Sequence, residues 1–179
     1  MSVLCRPVAS SDLPEVITLD HRCFGGLWNE DGYSREIDSP NSDLLLVETQ
    51  VTEQPYIIGV GCLWAILDEA HITLLGIDPS FQRQGLGGWL LIHLLLAASD
   101  RGLTHATLEV RQSNQAALAL YESFGFQVAG ERKRYYADDE SAFILWRNHL
   151  QDSEFLAELQ AQRHQFIAKL SKIVATEAL

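Results

Sequence analysis

Hydrophobic positions along this chain recur with two periods, one typical of strands and one typical of helices. Short runs rich in β-branched and aromatic residues, bounded by turn-forming residues, predict strands, and apolar residues three and four positions apart predict amphipathic helices. Seven segments have the strand pattern. They are residues 3–8, 44–47, 56–67, 70–77, 106–110, 126–129 and 142–146, with a turn predicted at 50–55.

Segments with helical spacing lie between these strands. A first helix is predicted to begin near Asp12, and a short one lies in the glycine- and aromatic-rich loop at residues 25–33. A long apolar helix follows the glycines at 85–88, and Ser113 is predicted to cap a fourth helix that ends near Phe124. The strand at 70–77, the long helix and the strand at 106–110 form a crossover connection, which predicts that these two strands are parallel neighbours.

The C-terminal segment has its own helical pattern, with Ser153 as the predicted N-cap. One broad apolar stripe predicts that this helix either packs on the domain or meets another chain. The sequence therefore predicts a domain at residues 1–150 and a C-terminal helical extension at 151–179. The stripe consists of Phe155, Leu156, Leu159, Phe166, Ile167, Leu170 and Val174.

These elements predict an α/β (α+β) fold. We expect a central mixed, mostly antiparallel sheet of about six or seven strands flanked by helices, with one parallel pair at strands 4 and 5. The C-terminal helix is additional to this arrangement. The chain has 179 residues, 47% of them hydrophobic and 21% charged, which is typical of a globular domain with its own core.

Composition narrows the classes of function. The formal net charge of −11 argues against nucleic-acid binding and favours a cationic partner such as an amine or a basic protein tail. No segment has the length of a membrane span, so we expect a cytoplasmic protein that does not bind membranes. The three cysteines, Cys5, Cys23 and Cys62, lie far apart and in no metal-ligand spacing, so we expect reduced thiols and no metal.

A glycine-rich segment joins the fourth strand to the long helix. Gly85, Gly87 and Gly88 lie where the helix begins, and free N–H groups at a helix N-terminus attract phosphate. The segment lacks the Lys-Ser/Thr of a P-loop and the third glycine of a dinucleotide fingerprint. It does match Q/R-x-x-G-x-G/A, beginning at Gln82. The alternative is a helix start that merely tolerates glycine, at about 1 kcal/mol for each residue.

The motifs from residue 68 to residue 136 identify a family. The chain resembles the GNAT acyltransferase superfamily over residues 1–150, and it is most similar to the ribosomal-protein-alanine N-acetyltransferase (RimI) family, so we expect the GNAT fold. The segments that carry the resemblance are Asp-Glu-Ala at 68–70, Ile-Asp-Pro at 77–79, the glycine segment at 82–87, Leu-Glu-Val-Arg at 108–111, Ser-Asn at 113–114, residues 119–126 and Arg-Tyr-Tyr at 134–136.

The resemblance implies a binding site for acetyl-CoA. The backbone of the fourth strand would pair with the pantetheine arm, the glycine segment would bind the pyrophosphate, and Asn114 would hydrogen-bond the arm, unless Asn114 only helps to start its helix. The implied acetyl-CoA residues are Leu75, Gly76, Ile77, Arg83, Gln84, Gly85, Leu86, Gly87, Gly88 and Asn114.

The same resemblance implies a catalytic pair and an acceptor site. An ammonium must lose a proton before it attacks a thioester, and the departing thiolate gains by receiving one. Glu109 is the implied general base and Tyr121 the implied general acid. Strand alternation puts Glu109 on the face opposite Leu108 and Val110. The structural alternative for Glu109 is an ion pair with Arg111, and that for Tyr121 is an aromatic residue of the core. The implied acceptor-binding residues are Trp28, Tyr33, Tyr135 and Tyr136.

The expected reaction is transfer of acetyl to the N-terminal α-amine of a protein, such as a ribosomal protein, by direct attack in a ternary complex. Two alternatives stay open: a GNAT enzyme acting on a lysine, a polyamine or a small molecule, and a non-catalytic acyl-CoA binding module. Relatives commonly have asparagine at the position of Leu74 and alanine at that of Gly76, which bears on acceptor choice. We expect a monomer or a weak homodimer.

Overall fold

A sheet of seven strands forms the centre of the described part of the chain, residues 2–50 and 55–177, in a computed structural model. The strand order is β1-β2-β3-β4-β5-β7-β6. Most of the turn predicted at 50–55 lies outside the described residues. The strands are β1 Ser2–Pro7, β2 Ser42–Gln50, β3 Tyr56–Ile66, β4 Glu69–Ile77, β5 His105–Arg111, β6 Gln127–Arg132 and β7 Ala142–Arg147.

The α-helices lie on both sides of this sheet. Two of the predicted caps are wrong by one residue: Asn114, not Ser113, accepts a hydrogen bond from the Ala117 N–H, and Asp152, not Ser153, accepts one from the Glu154 N–H. Both substitutes are Asx side chains, which cap as well as serine. The helices are α1 Leu13–Phe24, α2 Glu30–Asp38, α3 Leu86–Asp100, α4 Gln115–Ser123 and α5 Ser153–Glu177.

The pairing of the strands confirms the predicted fold class. Strands β4 and β5 are parallel, and the other neighbouring strands are antiparallel. One face of the sheet packs against α3, α4 and α5 around residues such as Leu91, Leu108 and Leu145. The other face packs against α1 and α2 around residues such as Leu19 and Leu46. Both faces are therefore covered, and a ligand must reach the sheet at an edge or at a gap between strands.

Helix α5 packs on the domain through its first four turns. Phe155 and Leu159 are buried in the same core as α3, and the ring of Phe166 stacks on Trp89 with a centroid distance of 5.4 Å. The side chains of Leu170 and Val174, which complete the predicted stripe, lie outside the described residues. Among the helices of residues 2–50 and 55–177, none combines the length and the apolar character needed to cross a membrane.

Candidate active site

Strands β4 and β5 pair only at one end and then diverge. Their ladder runs from Glu69 opposite His105 to His71 opposite Thr107, while β4 stays bonded to β3 and β5 to β7. The gap is a cleft of about 540 Å³, within the range of ligand sites. The backbone edge of β4 that faces the cleft can thus bond an extended ligand as a further strand would.

A β-bulge in β4 lies at the point of divergence. Cys62 and Leu63 are adjacent in β3, but their partners Leu74 and Ile72 are separated by Thr73, which is the extra residue. Ile72 therefore packs in the α3 core and Leu74 in the α1 core, although a regular strand would direct both to one face. The bulge turns β4 at the cleft, as bulges beside functional sites do.

Glu109 lies in the cleft wall formed by β5. Leu108 and Val110 are buried in the α3 core, so the prediction that Glu109 faces the opposite side is confirmed. Its carboxylate contacts a nitrogen at each oxygen: Oε2 is 3.1 Å from His71 Nε2, and Oε1 is 3.0 Å from Arg132 Nε. These contacts fix the orientation of the carboxylate. Arg111, the alternative partner, pairs instead with acids of the loop before β7.

Tyr121 reaches the same cleft from α4. Its ring is buried and packs edge-on against Phe126, with a centroid distance of 5.6 Å. Burial, with a smaller contribution from Tyr136, raises the pKa of the Tyr121 phenol well above its ordinary value. The phenol therefore stays protonated at neutral pH and is suited to donate a proton or a hydrogen bond.

The glycine segment leaves β4 through a 3₁₀ turn at Pro79–Phe81 and becomes α3 at Leu86. Gly85 has φ of 85° and forms the N-cap without any side-chain cap, so the first N–H groups of the helix stay available to a ligand. A Cβ at Gly87 would be 3.5 Å from Leu120 Cδ2, an ordinary contact, so the fold itself does not require glycine there.

Asn114 and the β4 residues Leu75, Gly76 and Ile77 line the cleft together. The side chain of Asn114 caps α4 through an oxygen that accepts from the Ala117 N–H at 3.1 Å. The cap uses only the amide oxygen, so the amide nitrogen can still donate to a ligand.

The four predicted acceptor-binding aromatics are in different environments. Tyr136 lines the cleft, and exposed Tyr135 packs edge-on against it at 5.1 Å. Tyr33 is fully buried, and its hydroxyl donates to Asp20 at 2.6 Å. Trp28 packs against Tyr33 with a centroid distance of 5.3 Å. Neither Trp28 nor Tyr33 lines the cleft.

Burial, followed by the hydrogen bond to Asp20, raises the pKa of Tyr33 far above its ordinary value. Asp20 also accepts from the backbone N–H groups of Leu27 and Trp28. Asp20 therefore links Tyr33 to the backbone of the loop after α1. Because Tyr33 is buried, an acceptor cannot contact Tyr33 unless the core opens.

Several residues of the site were not predicted from the sequence, among them the following four. Phe24 and Leu27, at the end of α1 and just after it, line the cleft, and His71 and Arg132 hold Glu109. The alternation of polar and apolar residues in β4 gave a usable signal for His71. In a parallel pair of strands, His71 lies on the same face as the polar residues of β5. The other three depend on contacts between elements that are distant in sequence.

Comparison with known proteins identifies a family and a shared fold. Residues 13–126 match the Acetyltransferase (GNAT) family. The ribosomal protein bS18-alanine N-acetyltransferase of Escherichia coli is 36% identical over 127 residues, which cover 71% of this chain and 82% of that protein.

Solved structures give the same result. The crystal structure of the ribosomal-protein-S18-alanine N-acetyltransferase from Escherichia coli superposes with a TM-score of 0.74 at 31% identity, covering 83% of this chain and 94% of that one. PaiA N-acetyltransferase from Thermoplasma acidophilum, in complex with coenzyme A, shares the fold with a TM-score of 0.68 at 18% identity, covering 83% of this chain and 100% of that one.

Proposed function

The chain belongs to the GNAT acetyltransferase family, and from that premise we propose that it transfers acetyl from acetyl-CoA to the N-terminal α-amine of a protein. The observation that carries the proposal is that Glu109 and the buried Tyr121 line one cleft beside the unpaired edge of β4. An acyl-CoA sensor would need the glycine segment, but it has no use for a carboxylate and a protonated phenol in the same cavity.

Acetyl-CoA would bind along β4 and the start of α3. The backbone of Leu75, Gly76 and Ile77 would bond the pantetheine arm, with the amide nitrogen of Asn114 as a further donor. The pyrophosphate would accept hydrogen bonds at the positive end of α3, whose first N–H groups no side chain caps. The residues of this phosphate site are Arg83, Gln84, Gly85, Leu86, Gly87 and Gly88.

The reaction needs a group that accepts a proton from the amine and a group that donates one to the sulfur. Glu109 would take a proton from the acceptor ammonium, and the free amine would attack the thioester carbonyl carbon. When the tetrahedral adduct collapses, the C–S bond breaks and Tyr121 would protonate the departing sulfur, and the second proton lost from the former ammonium nitrogen would restore the phenol. The Tyr121 phenol is protonated at neutral pH, as an acid must be before the reaction, and its place in the cleft supports the role.

The acceptor would be a protein that begins with alanine. The Escherichia coli relative is named for the alanine of ribosomal protein bS18, and we propose an N-terminus of this type as the substrate here. Tyr136 and Tyr135 would contact it, while Trp28 and Tyr33 would act indirectly by holding the loop after α1. A ribosomal acceptor requires an enzyme that works in the cytoplasm, and residues 151–179 would be a packed extension of the GNAT domain.

The decisive experiment is acetyl-CoA turnover on peptides that differ only in the first residue: alanine, serine, methionine and acetyl-blocked alanine, with spermidine in parallel. We expect the alanine peptide to react fastest and the blocked peptide to be inert. Faster turnover of spermidine, or acetylation of a lysine in the blocked peptide, would favour another amine as substrate. Tight acetyl-CoA binding without turnover on any amine would favour the sensor.

A further inference from the structure

A line of polar side chains crosses the paired part of β4 and β5 and ends at Glu109. Glu69 and His71 of β4, and His105, Thr107 and Glu109 of β5, occupy alternate positions on adjacent parallel strands. Because alternate residues of a strand share a face, all five lie on the side of the sheet opposite the α3 core. The catalytic chemistry proposed above uses only the last of them.

The contacts along this line are continuous. Glu109 Oε2 is 3.1 Å from His71 Nε2, His71 Nδ1 is 3.3 Å from Glu69 Oε1, and Glu69 Oε2 is 3.5 Å from His105 Nε2. Beyond His105, the Thr104 hydroxyl is 3.1 Å from His105 Nδ1 and also 3.1 Å from Asp68 Oδ2. Carboxylate and imidazole groups therefore alternate from the cleft to the far end of the strand pair.

The line leads from a buried end to an exposed end. The Glu109 side chain is 9% exposed, and that of Asp68 is 66% exposed. Between them, the His105 ring stacks on Trp146 at 4.3 Å, and the ring of Trp64 lies 6.3 Å from that of His71. The side chains of His71, Glu69 and His105 are 23%, 28% and 15% exposed, so the middle of the line is partly buried.

The charges around the line favour an ionised Glu69. Burial raises its pKa, but hydrogen bonds from Thr107 and His71 and the charges of both imidazoles outweigh burial, so the pKa is lowered overall. The other charged groups nearby are Arg132, which contacts Glu109, and Glu36, which accepts from the Trp64 indole. A carboxylate between two imidazoles can accept a proton from one and pass it to the other.

We propose that Glu69, His71 and His105 form a proton relay that carries the proton of the acceptor ammonium from Glu109 to solvent. Protonated Glu109 gives its proton to His71 Nε2, and His71 releases the proton on Nδ1 to Glu69. Glu69 passes it to His105 Nε2, and His105 releases the Nδ1 proton through the Thr104 hydroxyl to Asp68 and water. Each group returns to its starting charge, and one proton leaves for each acetyl transferred. Each imidazole is left with its proton on Nε2 and regains the starting tautomer by proton exchange before the next turnover.

The relay rests on the proposed function, and Glu109 is its first member. His71 and His105 are then positioning and relay residues that touch neither substrate. The competing explanation is a ladder of polar contacts that only joins β4 to β5. That explanation predicts losses of stability, whereas the relay predicts a loss of rate that an added base of the same shape can restore.

The test is steady-state acetylation of the alanine peptide by the chain with His71→Ala, with and without imidazole, because the relay restores the base between turnovers. We expect a rate about tenfold below wild type, less than the roughly 10²- to 10⁴-fold effect of a direct general acid or base, with acetyl-CoA affinity within about twofold. Imidazole should restore most of the rate. Pyrrole has the same ring size and no basic nitrogen, so it should not. His164→Ala, on exposed α5, is the matched control and should react like wild type.

Two further variants make the outcome decisive. His71→Gln retains hydrogen-bonding capacity but cannot carry a proton, so it should be as slow as His71→Ala while melting within a few degrees of wild type. A wild-type rate in His71→Gln, or equal rescue of His71→Ala by pyrrole and imidazole, overturns the relay. If Glu109→Gln is fully active as well, the carboxylate is not the base and the relay loses its first member, whereas failure of the wild type to acetylate the alanine peptide would overturn the proposed function itself. If only the histidine variants are active, the relay alone fails.

Discussion

The ring of Phe24 occupies the space that a side chain at position 76 would need. A Cβ on Gly76 would lie 2.3 Å from Phe24 Cζ, closer than non-bonded carbons approach. Both residues line the cleft, one at the end of α1 and the other in β4. Relatives commonly have alanine at position 76, whereas this chain has glycine. The missing side chain leaves the space in which the Phe24 ring packs against β4.

This contact predicts a coupling between the two positions. Gly76→Ala alone should destabilise the protein by about 1–3 kcal/mol, because the Phe24 ring must move out of a packed site. In the Phe24→Ala background the same change should cost little, since the space is then open. Urea unfolding of the four proteins in a double-mutant cycle measures the coupling. Equal costs in both backgrounds would show that something other than Phe24 requires the glycine.

The glycine segment offers a clean test at Gly87. Gly87→Val should weaken acetyl-CoA binding at least about tenfold, because the larger side chain obstructs the phosphate. The free energy of unfolding should change little, because glycine and valine have similar helix propensities. Gly87→Ala is the matched control: the motif admits alanine, and its Cβ would be 3.5 Å from Leu120. Calorimetric titration with acetyl-CoA is the measurement, and unchanged affinity in Gly87→Val would remove this residue from the site.

Gly85 is less informative than Gly87. Its φ of 85° disfavours any side chain, and a Cβ there would be 3.1 Å from Phe166 Cε2, so a substitution would strain the backbone as well as the ligand site. The sequence motif alone does not distinguish these two glycines, because the difference lies in backbone conformation and in a contact from α5.

The features that were predicted from the sequence are those with a local periodic signal. The strand pattern around Glu109 gave its correct face, and the crossover rule gave the parallel pair β4 and β5. The burial of Tyr33 was not predicted, because its hydroxyl is satisfied by Asp20, 13 residues earlier in the chain. An aromatic residue among glycines and acids has the same local pattern whether it contacts a substrate or a buried carboxylate.

The bulge at Thr73 had no signal in the sequence. Ile72 and Leu74 are both apolar and flank a polar residue, which is the pattern of a regular strand, so the sequence does not show where β4 gains a residue over β3. The ends of helices were also off by one residue where two capping side chains were adjacent, as with Ser113 and Asn114.

Helix α5 is predicted to support the phosphate site through Phe166. Phe166→Ala should lower stability by about 2 kcal/mol, less than for a fully buried phenylalanine, because it removes the stacking on Trp89. It should also raise KM for acetyl-CoA several-fold by loosening the segment at Gly85. The neighbouring Gln165→Ala, at an exposed position, is the control. A KM equal to that of the control would separate α5 from cofactor binding.

Tyr121 predicts a loss of stability in alkaline solution. Its folded pKa is raised, so the protonated phenol persists in the native state at pH values where the unfolded chain has lost the proton. The free energy of unfolding is then constant below about pH 10, the ordinary tyrosine pKa, and falls by about 1.4 kcal/mol per pH unit above it for this group.

Tyr121→Phe should make the alkaline fall shallower. Phe126→Leu, a change in the adjacent ring, is the control and should lower stability by a similar amount at every pH. Urea unfolding between about pH 8 and about pH 11.5, a range that extends to both sides of the ordinary tyrosine pKa of about 10, provides the data. An alkaline slope in Tyr121→Phe as steep as that of wild type would mean that Tyr121 ionises normally in the folded protein.

The catalytic pair gives the last prediction. Glu109→Gln keeps the size of the side chain and can still bond His71 and Arg132, but the amide cannot take a proton from the acceptor. Tyr121→Phe keeps the packing against Phe126 and removes the only proton that the ring could donate. Each change should lower kcat at least tenfold. General acid-base catalysis typically contributes about 10²- to 10⁴-fold, so a larger loss is also consistent with the proposed roles. Acetyl-CoA affinity should stay within a few-fold, because neither group belongs to the phosphate site.

The control is Glu122→Gln, the same chemical change at an exposed position of α4, which should retain full activity on the alanine peptide. Turnover near that of wild type in Glu109→Gln would remove the carboxylate as the base, and the same result in Tyr121→Phe would leave water as the donor to the sulfur.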